Sequence, residues 1–179
     1  WVRPGPGYNP KYRSAVWSLI LLAQMGASLD MDERIARACA YALDHGFTAD
    51  GRATESGAPS GSIDCLQGNM LTALLDLGCR DPRLEAAFDY MARSLSGENV
   101  RYYAYKCGPG FACGVNNGKP CAWGAVKVML AFSRLPRAQR TEKIEAAIRQ
   151  GAEFIFSVDP ATAAYPVRVE GRPNRAWWT

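Results

Sequence analysis

Four of the six cysteines, Cys65, Cys107, Cys113 and Cys121, sit where thiol chemistry is available. Three of them fall within "KCGPGFACGVNNGKPCAWG" (106–124), glycine-rich chain that runs directly into an apolar helical pattern, and Cys65 opens another such pattern. Four thiolates suit tetrahedral zinc or an iron–sulfur cluster, because soft, charged sulfur donors match those ions. The spacing Cys107-x5-Cys113-x7-Cys121 lacks the C-x2-C pair of zinc ribbons, so other readings stay open. These are a disulfide among the three loop cysteines or between Cys65 and Cys121, or four free thiols, with Asp64 able to replace one metal ligand. Cys39 and Cys79 lie in or beside apolar helical patterns, where buried structural thiols are expected.

Other reactive groups are sparse. One histidine, His45, stands near the end of a helical pattern, so a Ser-His-Asp hydrolase or a histidine-rich metal site is not expected. The acidic stretch "LDMDE" (29–33) reads as the start of a helix, where carboxylates complement the dipole. No G-x-x-x-x-G-K-[ST] phosphate loop and no Asp-Asp-x-x-Asp motif occurs. Asn116-Asn117-Gly118 is a turn signal.

The elements that carry these cysteines repeat. An apolar helix (12–26) turns into an amphipathic one (32–47); a second pair follows at 65–78 and 81–95, and a third at 121–135 and 141–158. This order predicts an all-α fold of three stacked helical hairpins, about 12–47, 65–95 and 121–158, in a single domain spanning 1–179 with almost no sheet. Gly26 and Gly78 mark helix C-termini, while Asp81-Pro82 and Thr141 mark N-termini. The first helix of each pair is apolar nearly all round and is expected to form an inner, buried layer; the second carries a charged face and is expected outside.

Connections within a hairpin are short, but those between hairpins (48–64, 96–120 and 159–175) are long. In a parallel array the long loops gather at one end. Cys65 and Cys121 both start inner helices there, and Cys107 and Cys113 lie in the loop that delivers Cys121, so the repeat predicts four sulfurs at one rim.

Concentric inner and outer helices built from tandem hairpins resemble the α/α-toroid superfamily of squalene and other terpenoid cyclases and the β subunits of protein prenyltransferases. The stretches "IDCLQGN" (63–69) and "CGPGFACG" (107–114) are similar to those of bacterial and archaeal proteins described as prenyltransferase-like. The resemblance implies a partial toroid that binds or processes an isoprenoid or lipid-like substrate; the shared rim of Cys65, Cys107, Cys113 and Cys121 is where zinc (or an iron–sulfur cluster, or disulfides in place of a metal) is expected. By the same resemblance the aromatic and polar residues near the rim, Trp17, Asn69, Tyr103, Tyr105, Trp123 and Lys127, are expected to contact an apolar small molecule. Protein prenyltransferases hold catalytic zinc with an Asp and a Cys one residue apart, whereas Asp64 and Cys65 are adjacent. That departure blocks a transfer of the catalytic role, and no catalytic residue is assigned. The rival reading is a non-enzymatic helical-repeat module that binds a protein.

Three hairpins are about half of a closed toroid, and "NRAWWT" (174–179) resembles the start of a fourth inner helix, so the chain is expected to be a truncated half whose open edge self-associates or meets a partner. At 48% hydrophobic residues, a core can form without disulfides. The net charge of +4 is spread along the chain, so no nucleic-acid surface is expected. No apolar run approaches the ~20 residues of a transmembrane helix, and a cytoplasmic location is expected.

Overall fold

The computed structural model describes residues 12–103 and 106–167. Among the described residues six α-helices make up the framework: α1 (Ala15–Gln24), α2 (Glu33–Gly46), α3 (Asp64–Asp76), α4 (Arg83–Ser96), α5 (Ala122–Arg134) and α6 (Glu142–Ile155). They pair as three hairpins, within a few residues of the bounds the periodicity predicts. The fold is all-α; the sheet is one two-residue ladder, β1 (Cys107–Gly108) against β2 (Ala112–Cys113). Among the described residues no helix is long and apolar enough to cross a membrane.

Local chemistry explains the turns. At the end of α1 the Gly26 amide bonds Ala23 O and the Ala27 amide bonds Leu22 O, with Gly26 at φ +78°. The end of α3 repeats this arrangement, Gly78 to Leu75 and Cys79 to Leu74, with Gly78 at φ +91°. Both are Schellman endings, which need the left-handed conformation that glycine adopts without strain. The outer helices start on side-chain caps: Asp32 accepts from the Arg34 amide, Asp81 from the Arg83 amide, and Thr141 from the Ile144 amide. "LDMDE" is therefore a helix start, as its composition predicts.

The inner helices form one row, with α3 packed on both α1 and α5, while α4 and α6 pack together outside. The crossing of α3 and α5 is close because residue 68 is glycine: a Cβ there would lie 2.4 Å from the Lys127 carbonyl. Leu66, Leu71, Leu74, Phe88, Met91, Leu95, Val128 and Phe132 fill the space between the layers. The expectation of burial on every face holds for α3 and fails for α1. Only Ala15, Val16 and Leu19 of α1 are buried, and Leu21 (57%) and Met25 (73%) face solvent, because among the described residues α1 has an inner neighbour, α3, on one side alone. Tyr105 and the 174–179 segment lie outside the described residues.

Candidate functional site

The long loops do gather at one end, and buried polar side chains hold them there. Gln67 sits on α3 among apolar residues and is 1% exposed. Its Oε1 accepts from the Ala53 amide, and its Nε2 donates to Gly51 O (2.8 Å) and Ala87 O (3.0 Å). One side chain thus ties the 48–54 loop to α3 and α4. Gly51 permits the approach, since a Cβ there would lie 2.3 Å from Ala86 O. Arg52, 7% exposed, bonds Asp50 and the Arg101 carbonyl, and its guanidinium stacks between the rings of Tyr90 (4.9 Å) and Tyr103 (5.4 Å). The first long loop is thereby fastened to the second.

The cysteine loop is pinned at both ends. Phe111 is 1% exposed and stacks on Phe154 at 5.5 Å, although its own backbone is left-handed (φ +64°). A bulky residue holds that conformation only where packing compensates a cost of about 1–3 kcal/mol. Asn116 donates to Pro120 O (2.8 Å) and Pro166 O (3.0 Å), which joins the second and third long loops. Asn117 (φ +58°) and Gly118 (φ +76°) form the turn that their types predict.

These anchors bring the cysteines together. Cys107 and Cys113 face each other across the β1–β2 ladder, and an isolated bridge pairs Ala112 with Pro120, next to Cys113 and Cys121. The Cys121 thiol hydrogen-bonds the Cys113 sulfur, which also accepts from the amides of Val115 and Asn116. With Lys106 nearby, these donors hold the Cys113 thiol below the ordinary range, whereas Cys121, as the donor and with burial adding to the effect, is pushed up. Cys107 behaves differently. Burial pushes it up to about 12 and the Asp64 charge adds to this, while its sulfur meets the hydroxyls of Tyr90 and Ser62. Asp64, at the start of α3, is pushed up to about 7 by desolvation and by the Cys113 charge. Cys65 interacts electrostatically with Cys121.

None of the six cysteines is joined in a disulfide. Among the described residues no three His, Cys, Asp or Glu side chains are grouped to hold a metal ion. The four thiols as placed do not form the tetrahedral set, because Cys107 is engaged by Tyr90 and Ser62 while Cys113 and Cys121 engage each other. Metal analysis of the purified protein tests zinc or iron–sulfur binding at these residues.

The residues expected to contact substrate separate. Asn69 and Lys127 share a groove of 250 Å³ walled only by the inner helices α1, α3 and α5, with Ile20, Thr72, Leu130 and the Asp76–Arg134 ion pair (2.7 Å) along it. Trp123 supports this groove through Lys127, whose ammonium lies 4.7 Å over the indole. Tyr103 belongs to the Arg52 stack in the loops, and Trp17 packs its ring on Tyr12 at 4.7 Å. A larger hollow of 480 Å³, floored by Leu84, Phe88, Leu135 and Ile144 and lined by Cys79, lies between the two short turns, at the opposite end from the four rim cysteines.

No family model matches the chain, and neither does any curated protein or solved structure. The resemblance to cyclases and prenyltransferases rests on the residues that carry it. Gln67, Arg52, Ser62 and Tyr90 are the contributors that motif reading misses. A glutamine in the middle of an apolar helix is the one visible signal, since a buried amide needs partners.

Proposed function

We propose that the protein is a partial α/α toroid that binds an amphiphilic ligand with an anionic head, such as a prenyl diphosphate, on its inner helical row. The observation that carries this reading is the meeting of Asn69 and Lys127, from two different helices, in one groove of the inner row. Lys127 makes no ion pair among the described residues, so its charge is available to an anion, and Trp123 holds it in place. Ile20, Ala23, Ala73 and Leu130 supply the apolar wall for a short hydrocarbon unit. The resemblance to isoprenoid-handling proteins points to the same ligand class.

Calorimetric titration tests this with geranyl diphosphate, geraniol and inorganic diphosphate. Geranyl diphosphate should bind more tightly than either fragment, and Lys127→Ala should weaken it by about tenfold or more, the loss of a charge-assisted contact. Equal binding to wild type and Lys127→Ala, or none, would reject the reading.

A second reading, a helical-repeat module that binds a protein, is favoured by the exposed apolar side chains of α1, Leu21 and Met25. The occupant it implies first is a second copy of the chain, joined edge to edge. Light scattering across a concentration series, for wild type and Leu21→Glu, separates the two readings.

A further inference from the structure

We propose that the protein associates head to tail, the open front of the first hairpin in one copy packing on the open back of the last hairpin in another. The contact rests on the protein-binding reading, in which a second copy covers the α1 edge, and adds the face that the copy uses. It is independent of the ligand groove and of the cysteines.

The helix ends set the register of the front. Met25 caps α1 and Leu77 caps α3, each directly before a left-handed glycine. The two equivalent positions differ in what covers them. Leu77 is fully buried, and its carbonyl accepts from the Leu29 amide of the first hairpin at 3.0 Å. Met25 is exposed, since among the described residues no hairpin precedes it. Four residues earlier the contrast repeats, with Ala73 buried and Leu21 exposed.

The outer helices set the register of the back. α4 buries Leu84, Ala87 and Met91, and α6 buries Ile144, Ala147 and Gly151 at the same spacing. In that register Phe88, Ala92 and Leu95 of α4 correspond to Ile148, Ala152 and Ile155 of α6. The α4 residues are buried, and Phe88 meets Phe132 of the last hairpin with 6.1 Å between ring centroids. Their α6 counterparts are only half-buried, and Phe156, one turn after Ala152, is 74% exposed.

The chain therefore carries both halves of its own hairpin-to-hairpin contact, one at each end of the row. Among the described residues, large apolar side chains are exposed on the first hairpin (Leu21, Met25 and Met31) and on the last (Leu130 and Phe156), and on none of the middle one. Helical-repeat arrays end on hairpins with a polar outer face, whereas an apolar end face marks a contact surface. A second copy fits because its last hairpin continues the contact that already joins the first hairpin to the second and the second to the third. Pairing two fronts would set Met25 against Met25, a contact with no counterpart inside the chain. Contact between unlike faces is heterologous, so it leaves one free front and one free back until a ring closes.

Analytical ultracentrifugation of the full chain across a concentration series tests this, with Leu21→Glu altering the front and Phe156→Glu the back. Both side chains are exposed, so each variant should keep the circular dichroism of wild type. Wild type should exceed its chain mass of 19.5 kDa. Either substitution buries an unpaired charge in the apolar seam and should raise the concentration needed for association at least tenfold. At a concentration where each variant alone is a single chain, an equal mixture should form a pair of twice the chain mass and nothing larger, because one intact front meets one intact back. Wild type that stays a single chain would overturn the second copy as partner and this contact with it. If wild type associates but Phe156→Glu does so equally well, or the mixture stays single, the head-to-tail contact alone is overturned.

Discussion

The two ends of the hairpin array are closed by different physics. At the short-turn end, backbone and near-neighbour caps suffice: Schellman endings at Gly26 and Gly78, and side-chain caps at Asp32, Asp81 and Thr141. At the rim, the connections are too long to close locally, and buried polar side chains from distant positions hold them. Burial and local donors set each thiol separately: on the rim Cys107 and Cys121 are pushed up, and Cys113 beside them is held down. Cys39 and Cys79, toward the core, are buried, and desolvation pushes Cys39 up to about 12 with Cys79 contributing. Cys113, on the rim, is held down by directed donors. Burial disfavours a thiolate and fixed donors favour it, so their contacts set Cys113 apart from Cys39.

Thiol alkylation tests this contrast with the largest expected effect. At pH 7, iodoacetamide should modify Cys113 more than ~100-fold faster than Cys39, since reactivity follows the thiolate fraction. The Cys113 rate should fall as the pH drops below neutral, and peptide mapping of timed samples checks it. Equal rates would erase the difference between the ends.

The next effect is in stability. Gln67→Ala leaves the Ala53 amide and the Gly51 and Ala87 carbonyls without their partner, at about 3 kcal/mol in total. Urea unfolding measures this, and hydrogen exchange should rise in residues 48–54. A loss below that of a single cap would show that the rim is held by something other than its polar staples.

Asp64 sharpens the comparison through pH. Its carboxyl is raised from about 4 to about 7 on folding, so its contribution to stability is fully present below pH 4 and is lost as the pH rises toward 7. Asp64→Asn should therefore match wild type at pH 4 and exceed it at pH 8, by at most about 4 kcal/mol. Thermal melts at both pH values check the sign. Smallest is the local end: Thr141→Ala should cost about 1 kcal/mol in the same unfolding assay, without loosening the rim.

Much of this was legible in the residues. The hairpin bounds, the glycine and aspartate helix ends, and the turn at Asn117 follow from short-range rules that act within about a turn of helix. The gathering of Cys65, Cys107, Cys113 and Cys121 at one rim follows from the repeat. The local contacts of each rim thiol were not legible, because they depend on where Phe111, Asn116 and Tyr90 seat the loop. Nor was the role of Gln67, whose three partners lie 14 to 20 residues away. The expectation that all inner helices are wholly buried failed at α1, since hydropathy states that a face is apolar and not that a neighbour covers it.

Periodicity and caps alone therefore determined an all-α hairpin array and the end of it where its thiols collect. Which sulfurs touch, which carboxyl loses its water, and which two inner-row side chains meet in a groove depended on the packed molecule. Those properties arise from contacts and desolvation between residues far apart in the chain, and such distances carry no local signal.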